Sequence, residues 1–424
     1  MLPKTPTKGM RDFLPEEFAL RQHVLSVIQK TYETYGFTRI ETPAVENIAL
    51  LTSKQGGDNE KLIFKILKRG EKLENAKEDE LCDLALRYDL TVPLSRFYAN
   101  NQGQLPSVFK AMQMDNVWRA DRPQRGRFRQ FVQCDIDIIG EATYLAETEL
   151  ISATMQALGN LGFDNVTVRL SDRRLLNAIA THCGFAEEQK SSVFIALDKL
   201  DKVGIDGVLA EVSEIAPDKA QSFVDLLSRV TASEDSFAAV VAELGEDLPK
   251  EVADNVADIL YVANNSVTNG KVVFDVTLVR GMGYYTGTIY EISVDGLNVS
   301  VGGGGRYDKM IGKFTGQDTP ACGFSLGTDV PACGFSIGFE RIVLLLEERG
   351  KGQAKESGIA VLVDKRLDRE QLVAVGKLAK ALREDGNKVT VLKKIKNFGF
   401  QLKQLREQGY SVREYKDGAL YEID

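Results

Sequence analysis

The 424 residues are 43% hydrophobic and 27% charged, with a formal net charge of −8. Such a length allows two or three domains, and the composition is ordinary for a globular protein. It excludes a chain of membrane-spanning helices, because no apolar run is long enough, and argues against a general nucleic-acid binder, because the overall balance is acidic.

At the N-terminus, Lys8-Gly9-Met10-Arg11-Asp12-Phe13-Leu14-Pro15 reads as an irregular lead-in. Residues 16–35 show helical period, with Phe18, Val24, Leu25, Ile28 and Tyr32 as the apolar set. Gly36 is the C-cap candidate. Residues 37–40 read as a strand, followed by Glu41-Thr42-Pro43. Residues 63–67 read as a further strand and 68–80 as a charged turn. In Leu86-Arg87-Tyr88-Asp89-Leu90-Thr91-Val92-Pro93 a strand end runs into a helix over 93–100.

Residues 117–140 read as two strands joined by an arginine-rich turn, with Pro123 and Gly126 as its punctuation. The second strand alternates. Val132, Cys134, Ile136 and Ile138 form an apolar face, and Phe131, Gln133, Asp135 and Asp137 form the other. The mouth carries Arg119, Arg122, Arg125, Arg127 and Arg129, whose guanidinium forks suit phosphate oxygens. A solvated surface hairpin would account for the arginines alone.

Residues 142–161 read as a helix and 166–170 as a strand. From 171 to about 264 the chain turns helical, and residues 191–260 hold 5 Lys+Arg against 15 Asp+Glu, a net of −10. A strand over 274–278 leads to Val279-Arg280-Gly281-Met282-Gly283-Tyr284-Tyr285-Thr286-Gly287 and a strand over 288–294. Val301-Gly302-Gly303-Gly304-Gly305-Arg306-Tyr307-Asp308 allows either a close backbone approach to a ligand or a hairpin loop. No dinucleotide fingerprint and no P-loop occurs.

Pro320-Ala321-Cys322-Gly323-Phe324-Ser325 recurs as Pro331-Ala332-Cys333-Gly334-Phe335-Ser336, a local tandem duplication. The second copy runs into Phe339-Glu340-Arg341 and an apolar helix. It is therefore expected to be the buried strand over 331–338, with 319–330 looped out or along a sheet edge. Residues 347–357 read as a linker. Beyond it, 358–363, 370–385, 388–392, 401–408, 411–415 and 420–423 read strand, helix, strand, helix, strand, strand. Residues 351–424 hold 16 Lys+Arg against 11 Asp+Glu, a net of +5, the pattern of a module that meets a polyanion.

Cys82, Cys134, Cys183, Cys322 and Cys333 form no C-x-x-C pair and are expected to be reduced, buried thiols. His23 and His182 read as ordinary helix residues, so no His-rich metal site or His-based triad is expected. Residues 1–17 lack an apolar signal core, and a cytoplasmic location is expected.

Arg-Ala-Asp-Arg followed by Arg-x-Arg-x-Phe at 119–131 resembles motif 2 of the class II aminoacyl-tRNA synthetases. The Phe-Val-Gln-x-Asp-x-Asp continuation resembles the histidyl-tRNA synthetases in particular. The helix and proline-ended strand at 16–43 resemble motif 1, and Gly-Phe-Glu-Arg at 338–341 resembles motif 3. Segment 279–287 resembles the first histidine-specific motif, except that Gly283 stands where aspartate is usual, and 301–308 resembles the second.

The resemblance implies an α+β catalytic domain on an antiparallel sheet flanked by helices, with a helical insertion and a shortened C-terminal α/β domain of anticodon-binding type. The implied division is 1–172 and 265–346 for the catalytic domain, 173–264 for the insertion, 347–357 for the linker and 358–424 for the last domain. It implies ATP-dependent attachment of histidine to tRNA(His) through histidyl-adenylate, with Mg2+ accompanying ATP, in a homodimer. By resemblance, Arg119 and Arg280 are catalytic, and Arg119, Asp121, Arg127, Phe131 and Arg341 bind ATP. Asp89, Thr91, Gln133, Asp137, Arg280, Tyr284, Tyr285, Gly304, Arg306 and Tyr307 bind histidine. No metal-ligating residue is implied. The competing expectation is a catalytically silent paralogue that regulates ATP phosphoribosyltransferase. Such proteins typically lose the ATP residues and the C-terminal domain.

Overall fold

Leu20, Val24, Ile28 and Tyr32 recur every four residues and are all buried, so the helix Pro15–Thr34 lays one stripe on the core. Each of the three aliphatic side chains contributes roughly 1.5–3 kcal/mol by leaving water. Phe18, counted into that stripe from the sequence, is 51% exposed; it lies two positions from Leu20 and hence off the stripe. A second helix, Leu145–Asn160, packs beside the first and against the sheet.

The computed structural model describes residues 2–52, 62–77, 80–279, 285–294, 300–312, 330–349 and 358–423. Arg280, Gly283, Tyr284 and the first copy of the duplicated segment lie outside them. The chain splits into two compact units, Met1–Glu348 and Arg349–Asp424.

In the first unit the strands are β1 (Thr38–Arg39), β2 (Val45–Asn47), β3 (Lys65–Leu67), β4 (Cys82–Leu86), β5 (Phe109–Trp118), β6 (Gln130–Ile139), β7 (Val166–Asp172), β8 (Gly270–Phe274), β9 (Thr288–Val294), β10 (Gly302–Arg306) and β11 (Ala332–Gly338). Eight of them form one sheet in the order β1-β5-β6-β11-β10-β9-β7-β8. Its interior pairs are antiparallel, while β1–β5 and β7–β8 at the two edges are parallel. The sheet is thus mixed, with an antiparallel centre. β2, β4 and β3 form a separate small antiparallel sheet.

The second copy of the duplicated segment occupies β11, between β6 and β10, as the sequence leads one to expect. Phe335 stacks on Tyr290 with centroids 5.4 Å apart, and the Cys333 Sγ lies 2.9 Å from the Tyr290 hydroxyl. β11 runs straight into the helix Phe339–Glu348. Near the start of that helix, Glu340 meets Arg21 of the N-terminal helix in a buried bidentate pair at 2.5 and 2.7 Å. Its Oε1 also accepts the Val132 N–H at 3.3 Å.

The strand expected over 274–278 lies earlier, at β8. The reason is local: Asp275 Oδ1 accepts the Thr277 N–H at 2.9 Å and so turns the chain out of the sheet. Between β7 and β8 the chain forms six α-helices and one short 3-10 helix within 173–266. Cys134 and Cys333 are buried, while Cys82 and Cys183 are half-buried, and all four are free.

The second unit has a four-stranded sheet, with β12 (Gly358–Val363), β13 (Lys388–Lys393), β14 (Tyr410–Lys416) and β15 (Ala419–Glu422) in the order β13-β12-β14-β15. β12 is buried on both faces. Ile359, Val361 and Val363 pack with Val375 of the helix Arg369–Glu384, and Ala360 and Leu362 pack with Leu405 of the helix Phe398–Glu407. As the central one of three parallel strands, covered on both faces, β12 reads as a continuous apolar run.

Candidate active site

The side chains of β6 that face away from the helices open onto a cleft of about 380 Å³. Phe131, Gln133, Asp135 and Asp137 all line it, as the alternation of the strand requires. Across it stand Asp89 and Thr91, Tyr285, the β10 glycines with Tyr307, and Ser336 of β11. Gly334, opposite Asp137 in the ladder, must be glycine: a Cβ there would lie 1.9 Å from Asp137 Oδ1.

The floor of the cleft is acidic and nearly dry. Asp89, Asp135 and Asp137 are 1–3% exposed. Asp89 Oδ1 accepts the Val92 N–H at 3.1 Å in the first turn of the helix Thr91–Asn101, which fixes the carboxyl group. Asp137 Oδ1 accepts the Tyr307 hydroxyl at 2.6 Å. Burial pushes Asp89 up to about 6, against the opposing pull of the Val92 N–H and of Arg119. Burial also pushes Asp137 up to about 7, against the Tyr307 bond, with Asp89 adding to the rise. Asp135 is raised well above the usual carboxylate range by burial and by Asp137. Two acceptor atoms here, Asp89 Oδ2 and Gln133 Oε1, are buried and accept no hydrogen bond. A buried acceptor without a donor is costly, and a ligand ammonium would supply N–H donors to both.

The rim is basic. Arg119 is held by its Nε on the Tyr88 carbonyl at 2.8 Å, and its guanidinium carbon lies 5.2 Å from the Phe131 ring centroid. Arg127 pairs with Asp121 at 3.0 Å across the turn where Gly126 takes a positive φ of 71°. Arg341, in the first turn of the helix Phe339–Glu348, donates to the Ser300 carbonyl. Guanidinium groups beside an aromatic face can grip a nucleoside triphosphate through its phosphates and its base.

The structure therefore brings Asp89, Thr91, Arg119, Asp121, Arg127, Phe131, Gln133, Asp137, Tyr285, Gly304, Tyr307 and Arg341 to one cleft. Arg306, expected to bind histidine, is turned away from it. Its guanidinium is buried on Glu147 through two bonds of 2.6 Å and also donates to the Glu141 and Thr143 carbonyls, each at 3.1 Å. On the side of the sheet that Arg306 faces, a buried carboxylate claims the charge. The polar lining residues not picked out as site residues from the sequence include Asp135, Asp198, Glu291, Ser300, Ser336 and Glu340. Alternation along β6 already put Asp135 on the cleft face. Asp198, from the helical insertion, and Ser336 carry no local signal.

An antiparallel sheet whose cleft joins acceptors for an amine to arginines for phosphate is the arrangement of a class II aminoacyl-tRNA ligase. The model of the histidyl-tRNA synthetase family matches residues 9–330. The chain is 47% identical over 358 residues to the histidine–tRNA ligase of Leifsonia xyli subsp. xyli, covering 81% of this chain and 80% of that protein. It is 40% identical over 385 residues to a probable histidine–tRNA ligase of Tropheryma whipplei, covering 87% and 86%. The crystal structure of a histidyl-tRNA synthetase from Nostoc sp. PCC 7120 superposes with a TM-score of 0.78 at 25% identity, over 100% of this chain and 97% of that one. The protein belongs to the histidyl-tRNA synthetase family, a family of aminoacyl-tRNA ligases. An ATP phosphoribosyltransferase regulatory subunit/histidyl-tRNA synthetase from Bacillus halodurans shares the fold, with a TM-score of 0.76 at 21% identity over 97% of this chain and 98% of that one.

Proposed function

We propose that the protein activates histidine with ATP and then transfers it to tRNA(His). A histidine carboxylate oxygen bonds to the α-phosphorus, the bond to the bridging oxygen breaks, and pyrophosphate leaves. Two anions must meet, so fixed positive charge is the main requirement. Arg119 and Arg280 serve as the catalytic charges at the α-phosphate and the carboxylate. Phe131 stacks on adenine, Asp121 lies near its amine, and Arg127 and Arg341 hold the remaining phosphates. Asp89, Thr91 and Gln133 receive the ammonium, and Asp137, with Tyr284, Tyr285 and Tyr307, faces the imidazole ring along the Gly304 strand. The observation that carries this reading is one cleft that holds two unpartnered buried acceptors together with several arginines.

ATP enters as substrate and brings Mg2+, held mainly by phosphate oxygens and water. Among the described residues no three His, Cys, Asp or Glu side chains group to hold a metal. The basic segment 351–424 meets tRNA. The subunits pair as a homodimer, which accounts for Val45, Leu67 and Leu84 exposing apolar surface on the small sheet. No helix among the described residues is long and apolar enough to cross a membrane, and a cytoplasmic location fits the free cysteines. A silent regulatory paralogue would not need Arg119, Phe131 and Arg341 at one cleft.

Histidine-dependent exchange of pyrophosphate into ATP by the purified protein is the test. Exchange that requires histidine is expected, and background exchange from folded protein would refute the proposal.

A further inference from the structure

An amide side chain has one donor end and one acceptor end of nearly equal size, and its surroundings decide which end faces a ligand. Gln133 is 8% exposed. Its Nε2 donates to Ser336 Oγ at 3.0 Å and lies 3.5 Å from Asp135 Oδ1. The ladder places Ser336 directly opposite Asp135, so both oxygens stand beside the Gln133 amide on the cleft face. In this arrangement the Ser336 and Asp135 oxygens both take the acceptor role toward Nε2. The opposite end, Oε1, is left as a buried acceptor.

We propose that Ser336, backed by Asp135, is a positioning residue that fixes the Gln133 amide with its oxygen toward the substrate ammonium. The inference rests on the histidine-activating reading of the cleft and adds to it the device that sets the polarity where the amine binds. A reversed amide would turn two N–H donors toward an ammonium, which has no acceptor to offer them. Ser336 need not touch the substrate; it acts through Gln133.

Histidine binding to the full-length protein, measured by calorimetry without ATP, tests this. Ser336→Ala removes the nearer acceptor and is expected to weaken histidine binding about tenfold, the usual worth of one buried hydrogen bond. Imidazolepropionate, which has the ring and carboxylate but no amine, should bind the unaltered and the Ser336→Ala proteins equally. In a double-mutant cycle, Ser336→Ala should cost nothing further in a Gln133→Ala background, because the residue it positions is gone. Additive losses, or equal weakening for imidazolepropionate, would overturn the inference and show a general disturbance of the strand. Unaltered, folded protein that fails to bind histidine would instead overturn the functional reading, and this one with it.

Discussion

The acidic floor and the basic rim of the cleft are built on opposite principles. The floor is made of carboxyl groups in a nearly dry setting, each fixed by a neutral donor: the Val92 N–H for Asp89 and the Tyr307 hydroxyl for Asp137. The rim is made of guanidinium groups fixed by carbonyls or by a half-exposed ion pair, with the Arg127 side chain 50% exposed. Burial raises the carboxyl groups, so the floor carries less negative charge than its composition implies. The rim keeps its full charge in any setting a protein offers. The floor therefore waits for a cation to stabilise its ionised form, while the rim is charged before any ligand arrives.

The comparison breaks most severely at the rim. Arg119→Ala should lower the histidine-dependent exchange rate by about 10²–10³, the usual loss for one preorganised charge donor, and Arg280→Ala by a similar factor. Histidine affinity without ATP should change little for Arg119→Ala. An unchanged rate for Arg119 would show that its hold on Tyr88 and Phe131 is purely structural. Between rim and core, Arg21→Ala leaves Glu340 buried without its partner and should cost about 3–5 kcal/mol of stability, read from denaturant unfolding. Unchanged stability would mean that the pair does not anchor the start of the Arg341 helix.

At the floor, Asp89→Asn should weaken histidine binding about 10–100-fold, as expected for a lost charge-assisted bond. The sign of the pH effect follows from the raised pKa values. Asp89 at about 6 and Asp137 at about 7 lie above the ordinary carboxylate range. Their contribution to the stability of the ligand-free protein is full below about pH 4 and is lost as pH rises through 6 to 7. The ligand-free Tm should fall over that window, and Asp89→Asn should flatten the fall. Binding of the ammonium should strengthen over the same window, because it favours the ionised form. A Tm rising from pH 5 to 7 in both proteins would contradict the reading. A smaller effect separates floor from rim. Raising salt from 0.05 to about 0.5 M should weaken ATP binding several-fold and histidine binding less, since exposed charges are screened and buried ones are not.

Much of this was legible in the chain. The alternation of residues 131–138 states both the core face and the cleft face of β6, because a strand has period two wherever it is placed. The second duplicated copy could be assigned to β11 from its junction with Phe339-Glu340-Arg341. What stayed hidden depends on long-range register. Nothing near Arg306 in sequence announces Glu147, 159 residues away, so a glycine-rich motif passed for a ligand arm where a buried ion pair claims the guanidinium. Ser336 becomes meaningful only once it is paired with Asp135 across the ladder. Asp275 ended β8 early through a hydrogen bond to its own turn, a local signal that apolar patterning outweighed.

The smallest expected effect concerns the duplicated segment. Deleting residues 320–330 joins Thr319 to Pro331 and leaves the sequence of β11 and its helix unchanged. Exchange activity within about twofold of the unaltered protein is expected, as loop length alone costs little. A deletion product that does not fold would sink that expectation.

The repeat also has a genetic meaning. Removing eleven consecutive residues that begin anywhere from Pro320 to Leu326 yields one and the same product, because the copies agree through Pro-Ala-Cys-Gly-Phe-Ser. Seven different breakpoints thus converge on a single chain that keeps Gly334 opposite Asp137 and Arg341 at the cleft. The lineage that carries this repeat can lose it by any of several recombination events without altering one residue of the strand the enzyme stands on.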